Sequence, residues 1–77
     1  MSKYLLPGIM PEVSAKLSTR EREVLQWTAV GKTSSEISRI LNIAERTVNF
    51  HINNVMTKLN APNKTSAATK AAVLGLL

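Results

Sequence analysis

Three residues, Asn42-Ile43-Ala44, separate two stretches of helical periodicity, and this short joint restricts the fold more than anything else in the chain. Before it, Ile37, Ile40 and Leu41 recur at helical spacing over Ser34–Leu41. After it, Val48, Ile52, Val55 and Leu59 form one narrow stripe over Glu45–Leu59. A connection this short makes the two helices cross steeply and leaves the second one projecting. Asn42 suits the left-handed residue that ends the first helix, and Ile43 the apolar contact that follows it.

Two further helices flank this pair. Ser18-Thr19-Arg20-Glu21 is a capping box, a hydroxyl with a glutamate three positions on, and it opens a helix over Thr19–Val30. There Val24 and Thr28 face one way, Leu25 and Trp27 flank them, and Trp27 reads as core packing. Glu21 and Glu23 suit the positive helix start, and Gly31 supplies the left-handed stop. Thr33 and Glu36 form a second box. Pro62 stops the third helix, and Asn63 caps a last one, Lys64–Leu74. In that last helix Ala67, Ala71 and Leu74 form one stripe, and Ala68, Ala72 and Leu76 a second beside it. The second stripe is either a self-association face or part of a broad intramolecular contact. Strand patterns, internal repeats and low-complexity tracts are absent. The fold expected is all-α, a four-helix helix–turn–helix domain over 17–77, with 1–16 as a tail or interdomain linker.

Composition removes several classes of function. A chain of 77 residues makes one small domain with a core worth roughly 3–5 kcal/mol, so a partner subunit would help. It contains no cysteine and one histidine, His51, which excludes a disulfide scaffold and a protein metal cage. No apolar run approaches the roughly 18 residues that span a bilayer. The opening YLLPGIM is broken by Pro7-Gly8, so no membrane association is expected and a cytoplasmic location follows by default. Paired carboxylates, a Ser/His/Asp set and a phosphate-cradling glycine loop are all missing, so no enzymatic role, cofactor or small-molecule ligand is expected. The formal charge is +5, and its distribution matters more than its size. All five acids lie at or before Glu45; beyond it the charged residues are Arg46, Lys58, Lys64 and Lys70. The third helix and everything after it therefore sit in a positive field, which favours a nucleic-acid partner.

Opposite its apolar stripe, the third helix carries Arg46, Asn49, Phe50, Asn53 and Thr57. Short amide side chains with little charge suit the reading of base edges in a DNA major groove; a solvated bundle helix is the alternative. Asn49 and Asn53, one turn apart, can each pair with adenine N6 and N7. Phe50 either touches a thymine methyl or packs on a neighbour, and Arg46 can reach a base or a phosphate. Thr47, Thr57 and Lys58 suit phosphate contacts, which position without specifying. Lys32, Thr33, Ser34 and Ser35 offer hydroxyls and a positive dipole end for a further phosphate, beyond ordinary capping by Thr33. His51, at the border of the stripe, reads as a packed histidine bonded to backbone. A helical protein-interaction module with incidental DNA binding is the competing function.

Leu17-Ser18-Thr19-Arg20-Glu21-Arg22-Glu23-Val24-Leu25, then Ala29, Gly31-Lys32-Thr33, Glu36-Ile37, Leu41, Ile43, Thr47-Val48, His51, Val55 and Lys58-Leu59, resemble the LuxR-type helix–turn–helix domain over about residues 17–76. The runs GKTS, TVNFHI and NAPNKTSAA are similar to the acyl-homoserine-lactone-responsive quorum-sensing regulators. The resemblance implies Glu45–Leu59 as recognition helix, the last helix as dimer interface, and a palindromic operator bound by a homodimer, with RNA polymerase a possible partner. It implies base reading by Asn49, Phe50 and Asn53, and phosphate contacts by Lys32–Ser34, Thr47, Lys58 and Lys64. Asn49 and Asn53 stand where one branch of the family has lysines, so no operator sequence transfers. Ala44 stands where a cap serine is common. Family members usually carry an upstream sensory domain, so the chain reads as an excised output module or a free-standing small regulator. The former suits the linker-like Tyr4–Lys16 better.

Overall fold

Helix boundaries fall where the sequence supplies partners for otherwise unpaired terminal N–H and C=O groups. The computed structural model describes residues 17–77; the tail or linker expected over 1–16 lies outside the described residues. The helices are α1 (Thr19–Ala29), α2 (Ser34–Leu41), α3 (Glu45–Leu59) and α4 (Lys64–Val73), with no strand among the described residues. At α1, Ser18 Oγ accepts from the Glu21 N–H and Glu21 Oε1 from the Ser18 N–H, both at 3.0 Å. Thr33 and Glu36 repeat the arrangement at α2, at 3.1 and 2.9 Å. Asn63 Oδ1 caps α4 by accepting from the Ser66 N–H at 2.8 Å. Helix α3 alone of the four begins without a side-chain cap, because Ala44 has nothing to offer.

The stops are left-handed residues. Gly31 lies at φ +95°, Asn42 at 57° and Asn60 at 54°. Helix α1 ends at Ala29, one residue short of the expected Val30, whose ψ of 8° already leaves helical geometry. After Asn42 the Ile43 N–H donates to the Ser38 carbonyl at 3.0 Å, closing the joint between α2 and α3. Helix α4 also ends one residue early, at Val73 rather than Leu74. That corrects the second alanine stripe, which assumed helical continuation to Leu76. Gly75, at φ +74°, reverses the chain, and the Leu76 N–H donates back to the Ala71 carbonyl at 2.8 Å. Leu76 therefore packs on the core of its own chain. Ala68 is half-buried; Ala72 and Val73 are exposed.

The α3 stripe is the spine of two adjoining cores. Its first half, Val48 and Ile52, packs with Val24 of α1 and Ile37 of α2, flanked by Trp27, Leu41 and Ile43. Its second half, Val55 and Leu59, packs with Leu17, Leu25, Ala67 and Ala71. Met56 bridges the two. Packing α3 against α1, α2 and α4 in this way buries one face and leaves the opposite face outermost.

Candidate nucleic-acid interface

Fixing the buried stripe of a helix fixes where its other residues point. Arg46, Asn49, Phe50, Asn53 and Thr57 are all exposed on α3. Phe50 is 60 % exposed, its ring edge-on to His51 at a centroid distance of 5.7 Å. Both roles open to it remain: the ring packs on its neighbour His51, and most of its surface stays free to meet a thymine methyl. His51 is half-buried as expected, but its Nδ1 is buried without a hydrogen-bond partner, so the backbone bond expected there is not made at that nitrogen. Its role is packing beside the exposed ring.

The residues expected on phosphates divide into groups. Lys32, Thr33 and Lys64 line one concave cleft of about 410 Å³, together with Thr28, Thr65 and Thr69. The starts of α2 and α4, far apart in sequence, thus present lysines and hydroxyls to one hollow. Thr47 is half-buried near the start of α3, and Thr57 is exposed further along it. Ser34 turns to α3 instead: its Oγ donates to Asn49 Oδ1 at 2.6 Å. Glu36 is occupied locally, where the Thr33 N–H holds its carboxyl below its ordinary pKa.

Lys58 has a partner that the charge pattern did not reveal. Its ammonium donates to Glu21 Oε1 at 2.7 Å, so the cation expected on a phosphate is engaged in an ion pair between α1 and α3. Glu21 is 5 % exposed and caps α1 with the same oxygen. Burial pushes the Glu21 carboxyl up, but the Lys58 ammonium, the Ser18 N–H and Asn54 together outweigh it and hold the group below its ordinary pKa. A second lysine secures the far end of α3. Lys70 Nζ donates to the Leu59 and Asn60 carbonyls, at 3.2 and 2.8 Å, filling acceptors that the helix leaves open.

Sequence reading missed both ties, since Glu21 and Lys58 lie 37 positions apart and Lys70 reaches 10 and 11 positions back. Among the described residues, no group of His, Cys, Asp or Glu could hold a metal, and no helix is long and apolar enough to cross a membrane.

A three-residue joint between two helices, the second amide-lined and braced from behind, fits a helix–turn–helix domain of the DNA-binding type. Residues 15–71 match the bacterial regulatory proteins of the luxR family, which includes GerE, and the chain belongs to that family as a DNA-binding transcription-regulator domain. It is 58 % identical over 77 residues to the transcriptional activator protein SolR of Ralstonia nicotianae, covering all of this chain and 33 % of that protein. It is 64 % identical over 61 residues to the quorum-sensing regulator RhlR of Pseudomonas aeruginosa, covering 79 % of this chain and 25 % of that protein. The chain thus spans a third or less of these curated relatives. A crystal structure of Escherichia coli SdiA superposes with a TM-score of 0.78 at 56 % identity, over 88 % of this chain and 28 % of that one. The structure of the transcription factor GerE superposes at 0.75 and 36 % identity, over 79 % of this chain and 91 % of that one.

Proposed function

We propose that this domain is the DNA-reading output module of a cytoplasmic quorum-sensing regulator, binding a palindromic operator as a two-fold dimer. The observation that carries the reading is the outer face of α3, where Arg46, Asn49, Phe50 and Asn53 project together while Val48 and Ile52 are buried behind them. A major groove admits such a helix. Arg46, Asn49 and Asn53 then meet base edges, and Phe50 meets a thymine methyl. Lys32, Thr33 and Lys64, gathered in one cleft, suit backbone phosphates on one side, and Thr47 and Thr57 suit those flanking the groove.

The partner copy is assigned to α4. Ala68 and Ala72 are small enough for close helix approach, and Val73 beside them is 75 % exposed. Two recognition helices related by that contact would enter successive major grooves about 34 Å apart. The direction of regulation does not travel with the domain. An activator, SolR, is 58 % identical to this chain, and a repressor, ThaA of Burkholderia thailandensis, is 54 % identical over 68 residues. RNA polymerase is a partner in the activating case.

Fluorescence anisotropy of the domain against a palindrome selected from a random duplex pool, beside a scrambled duplex, tests the reading. Preference for the palindrome is expected, and equal affinity for both would remove sequence-specific binding. Asn49→Ala should relax preference at one base step by about 1–3 kcal/mol, with the remaining steps unchanged.

A further inference from the structure

The Ser34–Asn49 hydrogen bond joins the first residue of α2 to the middle of the exposed face of α3, across the joint at Asn42. Thr33 already caps α2, and Ser35 Oγ accepts from the Arg39 guanidinium at 3.2 Å. The Ser34 hydroxyl is free of both tasks and is spent on Asn49. That matters because an exposed carboxamide rotates broadly about its last torsion, and its two edges are chemically opposite: an acceptor oxygen and a two-proton donor nitrogen. The Ser34 hydroxyl, its Oγ 2.6 Å from Oδ1 and donating to it, favours one orientation of the amide. One Oδ1 lone pair is then occupied, and the second remains to accept beside the two Nδ2 donors.

From this geometry we infer that Ser34 is a positioning residue that sets the polarity of the Asn49 carboxamide and, through it, the base that Asn49 reads. The inference rests on the DNA-reading role proposed above. In the fixed orientation Nδ2 can donate to adenine N7 while Oδ1 accepts from adenine N6, and both edges are satisfied. Guanine offers acceptors at both N7 and O6, so Oδ1 meets a lone pair and the pairing fails. A freely turning amide would lose this advantage. Ser34 thus acts on specificity rather than as a phosphate contact of its own.

The test is a double-mutant cycle read by anisotropy. Its probes are the palindrome that the wild-type domain selects from a randomised pool and duplexes carrying each single-base change in one half-site. Thermal melts confirm that every variant is folded. Asn49→Ala should abolish discrimination at one base step, a loss of roughly 5- to 150-fold in relative affinity. Ser34→Ala should reduce discrimination at that same step by about three- to tenfold, in keeping with one neutral hydrogen bond, and leave the other steps intact. Ser34→Thr, which keeps the donor, should retain it. Placed on top of Asn49→Ala, Ser34→Ala should have no further effect.

A uniform loss across all duplexes that persists in the Asn49→Ala background would overturn the inference and make Ser34 a phosphate ligand. Full discrimination in Ser34→Ala would overturn it while leaving the function standing. A wild-type domain that selects no sequence would end both.

Discussion

The two halves of α3 are held in different ways. The second half is tied by charge: Lys58 and Asn54 meet the buried Glu21, and Lys70 caps the final carbonyls. The first half has no cap at Ala44 and rests on Val24, Ile37 and Ile43 through apolar contact, with the Ser34–Asn49 bond on its outer side. The half with the charged ties turns none of its large residues outward; the half without them displays Phe50 and both candidate reading amides. Polar groups at the rear are used up in holding the helix; at the front one Asn49 lone pair is taken by Ser34 and the remaining amide capacity is left over. A DNA-reading face of the kind proposed needs unspent hydrogen-bonding capacity, and the charged ties that hold the helix lie at its other end.

The sharpest way to break this contrast is to remove the apolar support of the front half. Ile37 is fully buried, and Ile37→Ala should lower stability by about 2–5 kcal/mol, comparable with the whole stability of a domain this size. Urea titration followed by circular dichroism measures it. A loss under 1 kcal/mol would mean that the front half does not depend on that contact.

The rear half should respond to pH. The folded-state pKa of Glu21 is depressed, so its contribution is present in full above the ordinary carboxylate range and is lost as pH falls through the lower folded value. Glu21→Gln keeps an amide oxygen for the Ser18 N–H but removes the charge beside Lys58. It should cost roughly 1–3 kcal/mol at pH 7, and progressively less on acidification. Urea midpoints for both proteins from pH 7 to pH 3 should therefore converge. Parallel curves would show that the ion pair is energetically idle.

The smallest change sharpens the comparison by supplying the missing tie. Ala44→Ser gives α3 a cap hydroxyl and should raise stability by about 0.5–2 kcal/mol. That corresponds to a rise in melting temperature of roughly 4–8 °C per kcal/mol. No rise would indicate that the extended backbone at Ala44 cannot bring a hydroxyl onto the open N–H groups.

Local chemistry made most of the fold readable in advance. Both capping boxes, the asparagine stop at 42, the Asn63 cap, the bare Ala44 and the α3 stripe all express rules acting within four or five residues. The exposed face of α3 follows from that stripe by geometry alone, and so the candidate reading residues were legible too. What escaped was set by tertiary approach. The Lys58–Glu21 pair, the Lys70 cap and the Ser34–Asn49 bond join residues at least ten positions apart, for which periodicity carries no signal. Leu76 is a different kind of miss: an alanine-leucine spacing was followed through Gly75, although a glycine near a helix end is itself a stop.

Lys70 carries one last consequence. Because a single ammonium grips two consecutive carbonyls at the tail of α3, α4 cannot slip lengthwise without letting go of both. In an assembly where two copies meet along α4, the separation and tilt of the paired reading helices would be inherited from that grip. The gauge of the operator would then be set by a side chain outside the proposed reading face.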